Sequence, residues 1–185
     1  SALLVQTLRT IATAPPGFEP LGITTFFVSA PAARYREAAD IERYYADVDR
    51  ALRALPGVDD VATSWEMPFQ GSGTHDVFVM KERGDLGNAN PQVRVSAVSP
   101  SYWHLLRAPI VSGRAFTARD GQDAPRVAIV NEALAERYYP GQDPVGRRIR
   151  FVPREDEREP QPWRTIVGVR APFLQGDTAE AFRSP

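Results

Sequence analysis

SAVSPSYWHLLRAPIVSGRAFTARDGQDAPRVAIVNEALAERYYPGQDPVGRRIRF, residues 96–151, is the stretch on which the fold turns, completed by WRTIVGV at 163–169 after an acidic, proline-containing loop. Each piece of its punctuation has a physical reason. Ser99-Pro100 reads as a helix start, because serine can cap free amides and proline suits the first helical position. Tyr102, Leu105 and Leu106 are expected to pack inward. Gly113-Arg114 marks a turn, and ARDGQDAP at 118–125 reads as a solvated loop. RVAIV at 126–130 is a short, nearly all-apolar strand. Asn131 caps a helix over EALAERYY, which Pro140-Gly141 ends. DPVGRRIRFV gives a turn and another strand, and WRTIVGVR the last one.

Upstream, residues 2–12 (ALLVQTLRTIA) place Leu4, Leu8 and Ile11 on one helical face, and Pro15-Pro16-Gly17 stops that helix. ITTFFVS at 23–29 is rich in β-branched and aromatic residues and reads as a strand closed by Pro31. Between Arg34 and Leu55, apolar Ile41, Tyr44, Tyr45, Val48, Leu52 and Leu55 recur at helical spacing, with charges mostly on the other face. Pro56-Gly57 ends the helix, and VDDVATSW at 58–65 alternates like a half-buried strand. Short connections then favour a right-handed crossover between parallel strands. EMPFQGSGT at 66–74 is a loop; HDVFVM and PQVRVSAV alternate as strands and suggest a hairpin across the loop between them.

Composition narrows the function classes. A chain of 185 residues can bury a sizeable core, and 43% apolar with 24% charged residues is ordinary for a globular protein. The net charge of −1 argues against nucleic acid and against an electrostatic hold on anionic lipid. Cysteine is absent, which excludes a disulfide framework, a thiolate metal site and a cysteine nucleophile. A heavy-metal-binding ferredoxin-like domain, suited by LPGV before a strand, fails on the same ground. Zero cysteine suits either the cytoplasm or the oxidising periplasm. No run of eighteen apolar residues crosses a bilayer, and no signal peptide opens the chain. With Ser1 in first place, the sequence reads as a mature or excised piece.

Candidate chemistry is thin. His75-Asp76 with Ser72 nearby invites comparison with a catalytic triad, yet adjacent strand positions face opposite sides, so a solvated loop edge is the better reading. His104 has no second histidine near it to share a metal. Glu155, Asp156, Glu157 and Glu159 read as a solvated hairpin loop lacking calcium-loop spacing. Arg147, Arg148 and Arg150 cannot all share one strand face. GSGT lacks the lysine and following helix of a phosphate loop. Catalytic, cofactor and metal sites are therefore expected to be none. Trp65 and Trp163 are expected in the core, whereas Phe69, Gln70 and Ser72 are the candidate partner contacts, Phe69 foremost.

PPGFEP at 15–20, LPGV at 55–58, VSPSYW at 98–103, the GRAF passage at 109–116, VAIVNEALAERYYPGQDPVGRRI at 127–149 and WRTIVGV at 163–169 follow one another in a specific order. In this the chain resembles the MacB-like periplasmic core domain of MacB/FtsX-type ABC-transporter permeases. Arg107 departs from the pattern, standing where the family commonly has glycine at a left-handed position. Ala115 replaces a usually acidic residue, and residues 171–185 match poorly. The resemblance implies an α/β (α+β) fold in two lobes. A porter-like split strand–helix–strand lobe would comprise 14–95 and 153–185, a smaller inserted α/β lobe 96–152, and residues 1–13 the end of a membrane-flanking helix. It implies a periplasmic domain of an inner-membrane permease that transmits ATP-driven motion to a periplasmic substrate or partner protein, without chemistry of its own. The partners would be the rest of the permease, reached through flanking membrane helices, and its ATPase domain. The alternative is a stand-alone periplasmic binding or interaction module.

Overall fold

The computed structural model describes residues 19, 21–31, 33–35, 37–65, 74–84, 90–121, 124–153 and 161–171. The expected opening helix at 2–12, the expected loop at 66–73, the acidic run and the C-terminal segment fall outside them. The fold is mixed α+β. Helix α1 (Ala38–Arg53) is followed by β1 (Thr74–Met80), β2 (Gln92–Val95), α2 (Tyr102–Leu105), β3 (Ile110–Gly113), β4 (Val127–Asn131), α3 (Glu132–Tyr138), β5 (Arg148–Phe151) and β6 (Arg164–Arg170).

The six strands form one sheet in the order β2-β1-β5-β6-β3, with β4 also on β6. β1 and β2 make the expected antiparallel hairpin, Thr74 opposite Val95 and Val77 opposite Gln92. β1 also pairs antiparallel with β5, Phe78 opposite Phe151. β6 has three partners: β5 at Arg164 and Thr165, antiparallel β3 from Gly168 to Arg170, and parallel β4 from Thr165 to Arg170. Since β4 occupies one edge along its length, β5 and β3 divide the other. The sheet thus crosses the sequence boundaries at 95/96 and 152/153.

Phe78 and Met80 of β1, Ile149 of β5, and Ile166 and Val169 of β6, the last two on either side of a register shift against β4, are buried together, with Val130 from β4 and Tyr139 after α3 closing one cluster. A second gathers Tyr102, Trp103, Leu106 and Ala108, flanked by Ile23, Val98, Ile110 and Phe116. Asn131 caps α3 as expected, its side-chain oxygen accepting from the Leu134 amide at 2.9 Å.

Four local expectations are corrected. Residues 23–29 form no strand ladder among the described residues; Phe26 and Phe27 are 56% and 71% exposed. β propensity measures fit to a pleated, half-buried surface, and tertiary contacts hold this segment elsewhere. Ile23 packs on the second cluster, and the Tyr45 hydroxyl donates to the Val28 carbonyl at 3.5 Å. The 58–65 strand is reduced to one antiparallel bridge, Ser64 to Val98, so the parallel strand–helix–strand unit is not formed. Ser99 does not cap α2: its hydroxyl accepts from the Thr63 amide at 3.0 Å, while the Ser101 hydroxyl donates to the Val61 carbonyl at 2.7 Å. Lastly, Gly113, read as a turn, ends strand β3.

Arg107 sits at φ 51°, the one non-glycine in the left-handed region among the described residues. The Arg107 amide donates to the His104 carbonyl and the Ala108 amide to that of Trp103, both at 3.0 Å. This is the bond pair that closes a helix around a left-handed residue, usually glycine. Arg107→Gly should therefore raise stability by about 1 kcal/mol, relief of the side-chain clash exceeding glycine's entropic cost. Urea denaturation of the two proteins measures it; a lower midpoint for the variant would overturn the backbone argument.

Candidate functional site

The candidate contact surface begins where the described chain stops. Phe69, Gln70 and Ser72 lie outside the described residues. What leads to them is fixed by backbone bonds: the Ser99 amide donates to the Thr63 carbonyl and the Trp65 amide to that of Ala97, each at 2.8 Å. Trp65 is 76% exposed, which corrects its expected place in the core. Trp163 is half-buried, its ring under the Arg150 guanidinium at 4.8 Å. Indole and guanidinium there satisfy each other by cation–π attraction.

The backbones of His75 and Asp76 pair with Arg94 and Val93 in the hairpin, and Ser72 is outside the described residues. His104 is exposed on α2 and lines a broad depression of about 540 Å³ with Trp103, Arg107, Ala108, Ile110 and Ala115. Among the described residues no group of three or more His, Cys, Asp or Glu could hold a metal ion. The three arginines diverge: Arg148 is exposed, Arg150 covers Trp163, and Arg147 donates to the Gln142 side chain at 3.3 Å.

Two polar arrangements were not foreseen from sequence. Arg170 places its guanidinium 5.2 Å from the Trp103 ring and donates to the Ala171 carbonyl at 3.0 Å. Burial pushes its pKa down to about 10, leaving it charged at neutral pH. Directly after β3, the GRAF passage resolves into a clamp. Arg114 donates from two nitrogens to the two Asp120 oxygens at 2.7 and 2.8 Å, and the Thr117 amide and hydroxyl donate to the same carboxylate.

The Arg114 guanidinium, with the Thr117 donors, holds the Asp120 carboxyl well below the usual carboxylate range, against a smaller opposing push from burial. A depressed folded pKa gives stability that is present above the unfolded value of roughly 4 and drains away as pH falls through the folded value. With Arg114 half-exposed, solvent screening limits the effect to about 1 kcal/mol. Asp120→Asn should lower stability by that amount at pH 7 and by nearly nothing in strong acid. Paired melts at the two pH values test it, and an equal gap at both would remove the ion pair from the account.

No curated protein sequence matches the chain. The family model described as the MacB-like periplasmic core domain matches residues 8–182. The chain belongs to that family. Among solved structures, the periplasmic region of MacB from Actinobacillus actinomycetemcomitans is similar in fold at a TM-score of 0.50 and 14% identity; the match covers 71% of this chain and 52% of that one. The extracellular domain of the noncanonic ABC-type transporter YknZ from Gram-positive bacteria matches with a TM-score of 0.48 and 16% identity, over 70% of this chain and 58% of that one. The chain thus spans about half the length of the MacB periplasmic region. As a MacB-like periplasmic core domain it has no helix, among the described residues, long and apolar enough to cross a membrane.

Proposed function

We propose that this periplasmic core domain is part of an ABC-transporter permease and passes ATP-driven motion to a periplasmic substrate or partner protein, acting by contact and rigid-body movement. The observation that carries the proposal is the family match over nearly the whole chain. Residues 96–152 would form the part farthest from the membrane. In support, both ends of that segment bond to residues of 14–95: Ala97 and Ser99 to Trp65 and Thr63, and β5 to β1. The contact surface would combine Phe69, Gln70 and Ser72 with Trp65, whose exposed ring is the kind of anchor that dominates binding interfaces.

The experiment is the full-length permease, reconstituted with its ATPase and scored for transport and for substrate-stimulated ATP hydrolysis. Trp65→Ala and Phe69→Ala should weaken stimulation while leaving basal hydrolysis and the melting temperature of the domain unchanged. Unaltered stimulation by both variants would remove this surface from coupling. Partner binding with no dependence on ATP would favour the binding-module reading instead. Turnover by the isolated domain in a hydrolase panel, lost in His75→Ala, would overturn the absence of chemistry.

A further inference from the structure

The loop after β3 carries the chain's one Asp-Gly step, Asp120-Gly121, and the sequence has no Asn-Gly. In an unfolded chain such a step rearranges. The Gly121 amide nitrogen attacks Asp120 Cγ, a C–N bond forms, and the hydroxyl of the neutral carboxyl leaves with the amide proton as water. Solvent water then opens the five-membered imide at either carbonyl. One opening restores aspartate; the other routes the main chain through the side-chain carbonyl and leaves isoaspartate. One water is lost and one gained, so the mass is unchanged and nothing is oxidised or reduced.

The attacking nitrogen is unprotected. Gly121 has no side chain to screen it, and its amide makes no hydrogen bond among the described residues. Nor does the backbone need glycine there: φ is outside the left-handed region, and the nearest atom a Cβ would meet is the Ala118 carbonyl oxygen at 3.9 Å. The attacked carboxylate, by contrast, is gripped. Arg114 donates to both of its oxygens, at 2.7 and 2.8 Å, and one oxygen also accepts from the Thr117 amide at 2.8 Å and the Thr117 hydroxyl at 2.9 Å. That hydroxyl is itself fixed, accepting from the Arg119 amide at 3.3 Å, and the Asp120 amide closes the turn onto the Thr117 carbonyl at 3.0 Å. The Asp120 side chain is left 9% exposed.

Two requirements of the rearrangement are opposed by this grip. Cγ must be free to present its face to the Gly121 nitrogen, and four bonds fix the plane of the carboxylate. The carboxyl must also be in its neutral acid form, because an ionised carboxylate has no hydroxyl to lose. Arg114, with the Thr117 donors, holds it well below the usual carboxylate range. That thins the reactive acid form by about tenfold or more at neutral pH. We propose that Asp120-Gly121 is a latent isoaspartate site, kept closed by the grip of Arg114 and Thr117 on the Asp120 carboxylate. Modification and clamp exclude each other. Isoaspartate lengthens the main chain by a methylene and sets the carboxylate directly on Cα, away from the Arg114 fork, so the loop after β3 loses its fastening. This inference is independent of what the parent transporter moves.

The test is prolonged warm incubation of the 185-residue chain at neutral pH, below its melting transition, beside a blocked peptide of residues 117–124. After digestion, isoaspartate is counted as a peptide of unchanged mass and altered retention whose fragmentation places the linkage at position 120. The intact chain should isomerise at least about tenfold more slowly than the peptide. Arg114→Gln should recover most of that difference and Thr117→Val a smaller part. Adding Gly121→Ala to Arg114→Gln should return the rate to that of the parent. Thr117→Val keeps the ion pair and is the second variant should Arg114→Gln fail to fold. Gly141→Ala loses stability through left-handed strain without touching the clamp, and should stay as slow as the parent. A parent rate equal to the peptide's, clamp variants no faster than the parent, or Gly141→Ala as fast as they are would each overturn the proposal.

Discussion

Gly168→Ala is expected to unseat β3 from β6 and to lower stability by about 3 kcal/mol or more. At the crossing of these strands the backbones touch. A Cβ on Gly168 would fall inside the Arg114 carbonyl oxygen and only 3.2 Å from that carbonyl's carbon. These are main-chain atoms, held by the Arg114 amide donating to the Val167 carbonyl at 2.8 Å, so no flexible side chain can yield. Gly113 faces the same crossing from the other strand: its Cβ would overlap the Val167 oxygen and lie 2.9 Å from the Gly168 Cα. It also sits at φ +71°, so Gly113→Ala adds about 1 kcal/mol of left-handed strain. The control is Gly141→Ala, at φ +68° with open space around it, which carries the strain alone. For a chain this size, roughly 3 kcal/mol corresponds to a melting temperature about 10 °C lower. Equal losses for Gly168→Ala and Gly141→Ala would show that the strands separate easily.

Phe78→Ala should cost about 4 kcal/mol, a large share of the total stability of an ordinary domain. Phe78 is fully buried, packed with Met80, Ile149, Ile166 and Val169 and edge-on to Tyr138 at 5.7 Å. Its removal leaves a cavity at the point where β1, β5 and β6 share one face. Trp65→Ala deletes a larger ring yet should change stability by no more than about 0.5 kcal/mol, because that ring is already in water. Denaturant curves for the pair separate burial from size, and a midpoint for Phe78→Ala close to that of the parent would refute this core assignment.

Legibility in the sequence followed how local each signal was. Helix α1 announced itself by periodicity, though its apolar positions Ile41, Tyr44, Val48 and Leu52 are only half-buried. The β4–α3 unit was legible because Asn131, Pro140 and Gly141 carry their reasons within one short stretch. The left-handed backbone at Arg107 was legible only through the family resemblance, and the chain accepts the strain without glycine. Residues 23–29 and 58–65 misled because strand formation needs a free neighbouring edge, which composition does not report. β3 was hidden by Gly113, whose role as a point of close approach depends on Gly168 some fifty residues away. At the candidate site, Trp65 was misplaced for a related reason: a tryptophan's burial is decided by what lies over it.

The three-way pairing of β6 fixes an order of assembly. Among the described strands β6 comes last in the chain, yet β3, β4 and β5 all rest on it. While a chain emerges vectorially, the β1–β2 hairpin and its pairing with β5 can form first, with the other edge of β5 still waiting for β6. β3 and β4 must wait, with the Trp103 cluster uncovered behind them, until residues 164–170 arrive. Such long-range closure is slow, and unpaired edges invite association during the delay. A nascent chain halted before Arg164 is thus a half-built sheet whose natural interlocutors are chaperones, and the seven residues of β6 act as the latch that ends that dependence.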